Sequence, residues 1–191
     1  ALAEHANSEG VKIAVHIKID IGMGRLGFIF RHSAEESIKE LVDVCAYSCF
    51  KLEGIFTHVP TADEKERGDT ELQFARFCEV TNELRERGYS FEIEHCANSA
   101  TAINHPEFSL DMVRLGIILY GALPSDTMSF SVTPRPTIVL KTVVSNIKTV
   151  RKGDAIGYGS SYIASTDMKI ATLPIGYADG LSRVLSGKTK V

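Results

Sequence analysis

Two arginines, a histidine, an asparagine–serine pair and two tyrosines carry the chemistry this chain offers. Arg25 follows the turn GMG at 22–24, His58 closes the run LEGIFTH, Asn98 and Ser99 follow FEIEHCA, and Arg114, Gly116 and Ile117 lie within MVRLGIILYG. A guanidinium presents a planar fork of donors suited to carboxylate and phosphate, and an imidazole exchanges protons near neutral pH. Tyr158 in GYGSSY and Tyr177 in IGYADG add two phenols. Each residue also has a plain structural reading. Glycine-rich turns after strands mostly bind nothing, Asn98 and Ser99 suit a helix cap, and Arg114 suits an ion pair. A histidine at a strand end or a tyrosine beside a turn is equally ordinary.

The elements that must hold these residues alternate. VKIAVHIKID, 11–20, reads as a strand with Val11, Ile13, Val15, Ile17 and Ile19 on one face and Lys12, His16, Lys18 and Asp20 on the other. A helix is expected from Ser33, with Glu36 at capping-box spacing and Ile38, Leu41, Val42, Cys45 and Cys49 as its apolar stripe. LEGIFTH is a strand, TADEKERGD a loop, and 70–87 a second helix, with Leu72, Phe77, Val80 and Leu84 turned inward and Gly88 as its stop. FEIEHCA is a strand, ANSATAIN a short helix that halts before Pro106, and 112–121 a fourth strand-like run. Such alternation is the signature of parallel βα units, whose chemistry sits at the C-terminal ends of the strands. From Pro134 the pattern changes to strands and tight turns in TIVLKTVVSNIKTV, RKGDAIGYG, SSYIAS and MKIATLPIGYADG. A separate β domain is expected there, with the boundary in the Pro-rich stretch 124–136.

Composition narrows the function classes. The 191 residues fit one large domain or a domain and a half, and 44% apolar with 24% charged residues predicts a buried core. A formal charge of −3 supplies no surplus of cations for nonspecific nucleic-acid binding. No apolar run reaches membrane-span length, and no basic-then-apolar leader pattern is present. The four cysteines, Cys45, Cys49, Cys78 and Cys96, do not form a secreted staple framework, so a reduced, cytoplasmic protein is expected. The first six residues lack an initiator Met and read like the end of a helix, while 188–191 breaks off where a strand could start. Both ends look cut, and the chain is expected to be part of a longer protein.

Six segments in order closely resemble alanine racemase motifs: DIGMGRLGF, FTHVPTADE, HCANSATAINHPE, MVRLGIILYG, GDAIGYGSSYIA and LPIGYADG. The resemblance implies an α/β fold: a partial (β/α)8 TIM-type barrel over 1–133, followed by the start of a C-terminal all-β domain over 134–191. It implies pyridoxal 5'-phosphate as cofactor, alanine as substrate, a role in D-alanine supply for peptidoglycan, and a homodimer, with no metal site, nucleic acid or membrane involved. By the same resemblance Arg25 reaches the cofactor's phenolic oxygen and the substrate carboxylate, and Lys18 matches a lysine that many members carbamylate. Arg114 faces the pyridine nitrogen. Asn98, Ser99, Gly116 and Ile117 form or adjoin the phosphate cradle. His58 links Arg114 to Tyr158, the base on the face that handles the L-enantiomer, and Tyr177 lines the entry corridor.

The resemblance also marks absences and departures. The family's second base is a lysine that holds the cofactor and belongs to a segment upstream of Ala1; none of the lysines here sits in that motif. The 191 residues by themselves are therefore expected to be inactive. Pro60 stands where relatives usually carry a small non-proline residue, removing one N–H and restricting Val59 to extended conformations. Competing readings are a serine racemase of the same fold, a pyridoxal-barrel decarboxylase, a noncatalytic pyridoxal-phosphate carrier and a noncatalytic truncated remnant. The arginine of MVRLGI argues against the decarboxylase, which needs a protonated ring nitrogen. The appended β domain with its GYG tyrosine argues against the carrier.

Overall fold

Alternation along β1 (Ile13–Asp20) gives the sheet two unlike faces. The computed structural model describes residues 1–30, 34–64, 68–126 and 131–188, and within 34–36 the backbone alone. Ile17 and Ile19 are buried against helices, while His16, Lys18 and Asp20 alternate with them on the opposite face. The chain divides into two compact units, Ala1–Ile138 and Val139–Val191.

In the first unit α1 (Leu2–Ser8) precedes β1, and β2 (Phe28–Ile29), α2 (Ala34–Cys45), β3 (Phe50–Phe56), α3 (Gly68–Glu86), β4 (Ile93–His95) and α4 (Ser99–Asn104) follow. The sheet runs β2-β1-β3-β4 with every pair parallel. Its core packs Ile17, Ile19 and Ile55 against Ile38 and Leu41 of α2 and Phe77, Val80 and Leu84 of α3. Each such side chain contributes about 1.5–3 kcal/mol by leaving water. The second unit holds two antiparallel ribbons: β5 (Asn146–Val150) pairs with β8 (Met168–Thr172), and β6 (Ala155–Ile156) pairs with β7 (Tyr162–Ile163).

Several expectations need correction. The run 112–121 is not a strand. Asp111 N–H donates to Glu94 O and Arg114 N–H to Ala97 O, after which the backbone bends at Gly116 into a 3-10 turn, Ile117–Tyr120. Among the described residues no strand pairs with its far side, and an apolar run without a ladder does not hold strand geometry. Of TIVLKTVVSNIKTV only Asn146–Val150 is a strand, for the same reason. The fourth strand is instead the two-residue β2, too short to announce itself by alternation.

Leu72 is 49% exposed, and the inner face of α3 is more polar than expected, carrying Thr70, Gln73 and Thr81 beside Phe77, Val80 and Leu84. The helix begins two residues earlier than the apolar pattern indicated, because its first turn is polar and buries Thr70 instead. Cys49 lies beyond α2 and packs with Ala3 and Ala6. Ser33, the side chain of Glu36 and residues 189–191, on which the expected capping box and the final strand start fall, lie outside the described residues.

Candidate active site

The polar face of the sheet and the loops after its strands build one concavity, and local chemistry explains how each loop is held. After β1 the Asp20 carboxylate accepts from the N–H groups of Gly22 (2.9 Å) and Gly24 (3.1 Å). A side chain two residues upstream thus folds the turn that presents Met23 and Arg25, an arrangement typical of aspartate at turns. Gly27 closes the turn at φ +112, where a Cβ would lie 2.7 Å from the Lys18 carbonyl oxygen. After β3 the loop carrying His58 is tied across to β4's loop by Asn98, whose Nδ2 donates to Val59 O at 2.9 Å and lies 3.4 Å from His58 Nε2.

Asn98 also caps α4, its Oδ1 accepting from Thr101 N–H at 2.9 Å. The plain reading of Asn98 as a cap is therefore realised in the structure, together with a bridging role. Ser99 Oγ accepts from Gly116 N–H at 2.9 Å. A hydroxyl that accepts in this way keeps its own proton for a ligand.

His58, Asn98, Ser99, Arg114, Gly116 and Ile117 line a single cavity of about 330 Å³, with Met23, Pro60, Asp63, Ala100 and Pro124 completing its wall. Six of the residues singled out in sequence thus come together. Burial holds the His58 imidazole below its ordinary pKa, and the charges of Arg114, Arg25 and Lys18 push the same way. The Lys18 amine is also lowered, by burial first and then by Arg25, with Asp20 opposing and Arg114 adding to the shift. Three cations therefore bear on one imidazole, which makes the site a receptor for anionic groups.

Arg114 is the anchor of the arrangement. Its Nη2 donates to Thr57 O at 2.6 Å and to Cys96 O at 3.4 Å, its Nη1 bonds His95 Nδ1, and its guanidinium lies 5.2 Å from the centre of the Phe56 ring. Among the described residues it has no carboxylate partner. Burial lowers its pKa somewhat, yet a guanidinium stays protonated at working pH.

The imidazole directly bonded to Arg114 is thus His95, not the expected His58, on which Arg114 acts through its charge. His95 is 3% exposed and stacks on Phe56 at 4.9 Å between centroids, and burial with the Arg114 charge and then His16 drives its pKa down to about 4. Sequence reasoning passed over it, although it opens the quoted segment HCANSATAINHPE three residues before Asn98.

Tyr158 and Tyr177 belong to the second unit. Tyr158 begins the 3-10 turn between β6 and β7 and is 98% exposed. Gly157 (φ +82) and Gly159 (φ +65) flank it in conformations that favour glycine, so the turn thrusts the phenol outward. Tyr177 opens another 3-10 turn, held by Gly176 N–H donating to Asp179 Oδ2 at 2.9 Å. Its ring lies 6.0 Å from the Arg183 guanidinium, and both line a shallow cavity of about 320 Å³.

A parallel βα sheet with a cationic pocket at its strand ends, followed in the chain by an antiparallel β unit, is the make-up of a barrel enzyme with an appended β domain. Residues 1–124 match the family model for the alanine racemase N-terminal domain, and residues 137–191 match that for the alanine racemase C-terminal domain. The alanine racemase of Desulforamulus reducens is 44% identical over 191 residues, covering all of this chain and 51% of that protein. Among solved structures, alanine racemase of Clostridium difficile 630 superposes with a TM-score of 0.83 at 40% identity, covering 96% of this chain and 47% of that one. A histidine racemase of Leuconostoc mesenteroides superposes with a TM-score of 0.77 at 32% identity, covering 93% and 47%.

The chain belongs to the alanine racemase family and carries part of its fold, a TIM-type barrel domain with a C-terminal β domain. It spans about half the length of the curated relatives it matches. Among the described residues no helix is long and apolar enough to cross a membrane.

Proposed function

We propose that the protein containing this chain is a pyridoxal-phosphate-dependent alanine racemase, and the observation that carries this reading is Arg114. A half-buried guanidinium with only neutral partners faces a pocket whose wall holds Ser99 and Gly116. Three of its contacts are to protein acceptors, which leaves about two of its five N–H groups for a ligand. A cation of this kind suits a ring nitrogen that must remain an acceptor.

The pocket fits the cofactor in its polar chemistry. Ser99 Oγ–H and the backbone beside Gly116 and Ile117 would hold the phosphate, with Asn98 keeping the two loops together. Arg25 would neutralise the phenolic oxygen and the substrate carboxylate. When bound, pyridoxal 5'-phosphate supplies the electron sink that acidifies the substrate's α-carbon. Arg114, a donor that does not surrender its proton, would leave the ring nitrogen unprotonated and keep that sink weak, which favours brief proton removal over side reactions. Tyr158 would take or return the α-proton on the L-enantiomer's face. Lys18, whose amine is shifted toward the neutral form, is suited to add CO2, its nitrogen bonding the carbon and releasing a proton. The resulting carbamate would orient Arg25.

Tyr158 is almost fully exposed, and a base in open water is a poor one. This supports a homodimer in which the phenol enters the partner's barrel, with Tyr177 at the entry. The reaction would supply D-alanine for peptidoglycan in the cytoplasm. Since a histidine racemase shares the fold, another amino acid such as serine is the second reading. The 191 residues contain one of the two bases that racemisation needs, and by themselves should not racemise.

The test is Tyr158→Phe in the full-length protein. L-alanine turnover should fall about 10²–10⁴-fold, the ordinary worth of a general base, while pyridoxal phosphate stays bound. Unchanged L-alanine racemisation would sink the assignment, faster turnover of L-serine would select the second reading, and an active monomer in sedimentation would refute the dimer.

A further inference from the structure

The polar face of the sheet carries a line of contacts that the mechanism above uses only at its end. The ring of His16 leaves β1, passes over Gly54 of β3 and places its Nδ1 2.9 Å from Nε2 of His95 on β4. Neighbouring strands lie about 4.8 Å apart, so a side chain from β1 reaches β4 only where the intervening strand has no side chain in the way. Gly54 supplies that opening: a Cβ there would overlap Nδ1, Cε1 and Cγ of the His16 ring. The backbone arranges the same alignment. Register slips between Val15 and His16, so that Val15 pairs with Leu52 and His16 with Gly54. Glu53 is the extra residue of this bulge, and its Oε2 lies 3.5 Å from His16 Nε2.

Donor chemistry fixes the direction of the line. Arg114 has only donors, so His95 Nδ1 must accept from it. Neutral His95 then carries its proton on Nε2 and donates to His16 Nδ1. His16 carries its own proton on Nε2, turned toward the Glu53 carboxylate. Were either imidazole charged, two donors would face each other along the line.

We propose that His16, admitted by Gly54 and oriented by Glu53, is a positioning residue that fixes the Nε2–H tautomer of His95 and so holds Arg114 at its ligand. The proposal rests on the racemase reading for what Arg114 holds, but the tautomer is a property of the protein alone.

The experiment uses the full protein with ¹⁵N-labelled histidine, and long-range ¹H–¹⁵N correlation spectra near neutral pH. His95 should show a protonated Nε2 and an accepting Nδ1. In His16→Leu the Nε2–H loses its acceptor, and a population with the proton on Nδ1 should appear. His16→Gln, whose amide oxygen accepts, should restore the original spectrum. Gly54→Ala should reproduce the leucine variant while leaving every titratable group in place. In the cofactor-loaded enzyme His16→Leu should lower kcat about tenfold, roughly one hydrogen bond's worth, with KM little changed, and should alter the visible absorption of bound pyridoxal phosphate.

A proton on His95 Nδ1 in the unaltered protein, or an unchanged tautomer in both His16→Leu and Gly54→Ala, overturns the proposal. If the unaltered protein takes up no pyridoxal phosphate, the racemase reading fails while the tautomer result stands.

Discussion

Ser99 shows how one side chain divides its two hydrogen-bonding capacities. Its oxygen is engaged by Gly116 N–H at 2.9 Å, which orients the hydroxyl and leaves its proton for the pocket. If that proton meets the cofactor's phosphate, Ser99→Ala removes a hydrogen bond to a charged group, worth about 1.5–3 kcal/mol. Affinity for pyridoxal phosphate should then weaken about 10- to 150-fold in equilibrium dialysis. Pyridoxal, which lacks the phosphate, should bind both forms alike, and an equal loss for both ligands would place Ser99 elsewhere. Arg114 acts differently, because its geometry rather than its charge is at stake. Arg114→Lys keeps the charge but not the fork that spans Thr57 O, Cys96 O and His95 Nδ1. The variant should lose affinity for pyridoxal and its phosphate together, read in the same dialysis experiment.

Elements place these residues through short-range devices. The turn after β1 depends on Asp20, which is 4% exposed and accepts from the loop N–H groups of Gly22 and Gly24. Asp20→Ala should cost about 1.5–3 kcal/mol by removing the charged acceptor that folds the turn, and Asp20→Asn, which keeps the oxygen, should cost less; urea midpoints measure the difference. Much at this scale was legible in sequence. The alternation in VKIAVHIKID announced β1, and Phe77, Val80 and Leu84 announced the inner face of α3, because burial and periodicity are local. The six pocket residues were legible through the motifs FTHVPTADE, HCANSATAINHPE and MVRLGIILYG, although the last of these is not a strand. His95 was not, since its value comes from Arg114 nineteen residues away and His16 on another strand. Leu72 misled for the converse reason: its apolar character implied burial, whereas Thr70 and Gln73, both hydrogen-bonded to Thr61, take the inner face instead. Residues 112–121 misled because strand-like composition does not supply a pairing partner.

At the scale of the whole molecule, the buried imidazole makes stability depend on pH. His95 meets Arg114 from the segment after α4 and His16 from β1, and Phe56 covers its face. Its pKa of about 4 in the folded protein lies below the 6.5 of a free histidine. Between these values the unfolded chain binds the extra proton, so stability is complete above pH 6.5 and declines as pH falls toward 4. The loss should reach on the order of 3 kcal/mol. Denaturant unfolding at several pH values should show this slope, and His95→Gln should flatten it; a slope unchanged in that variant would assign the acid sensitivity to other groups. Gly54 has a consequence of another kind. Its backbone needs no special conformation, it touches no ligand, and a survey of pocket-lining residues would omit it. Yet the missing methyl is what lets a side chain cross the sheet at right angles to its strands. Positions 16, 54 and 95 should therefore drift as a set over evolutionary time: lineages that gain a side chain at 54 should give up the histidine at 16, and the identity at 95 should follow.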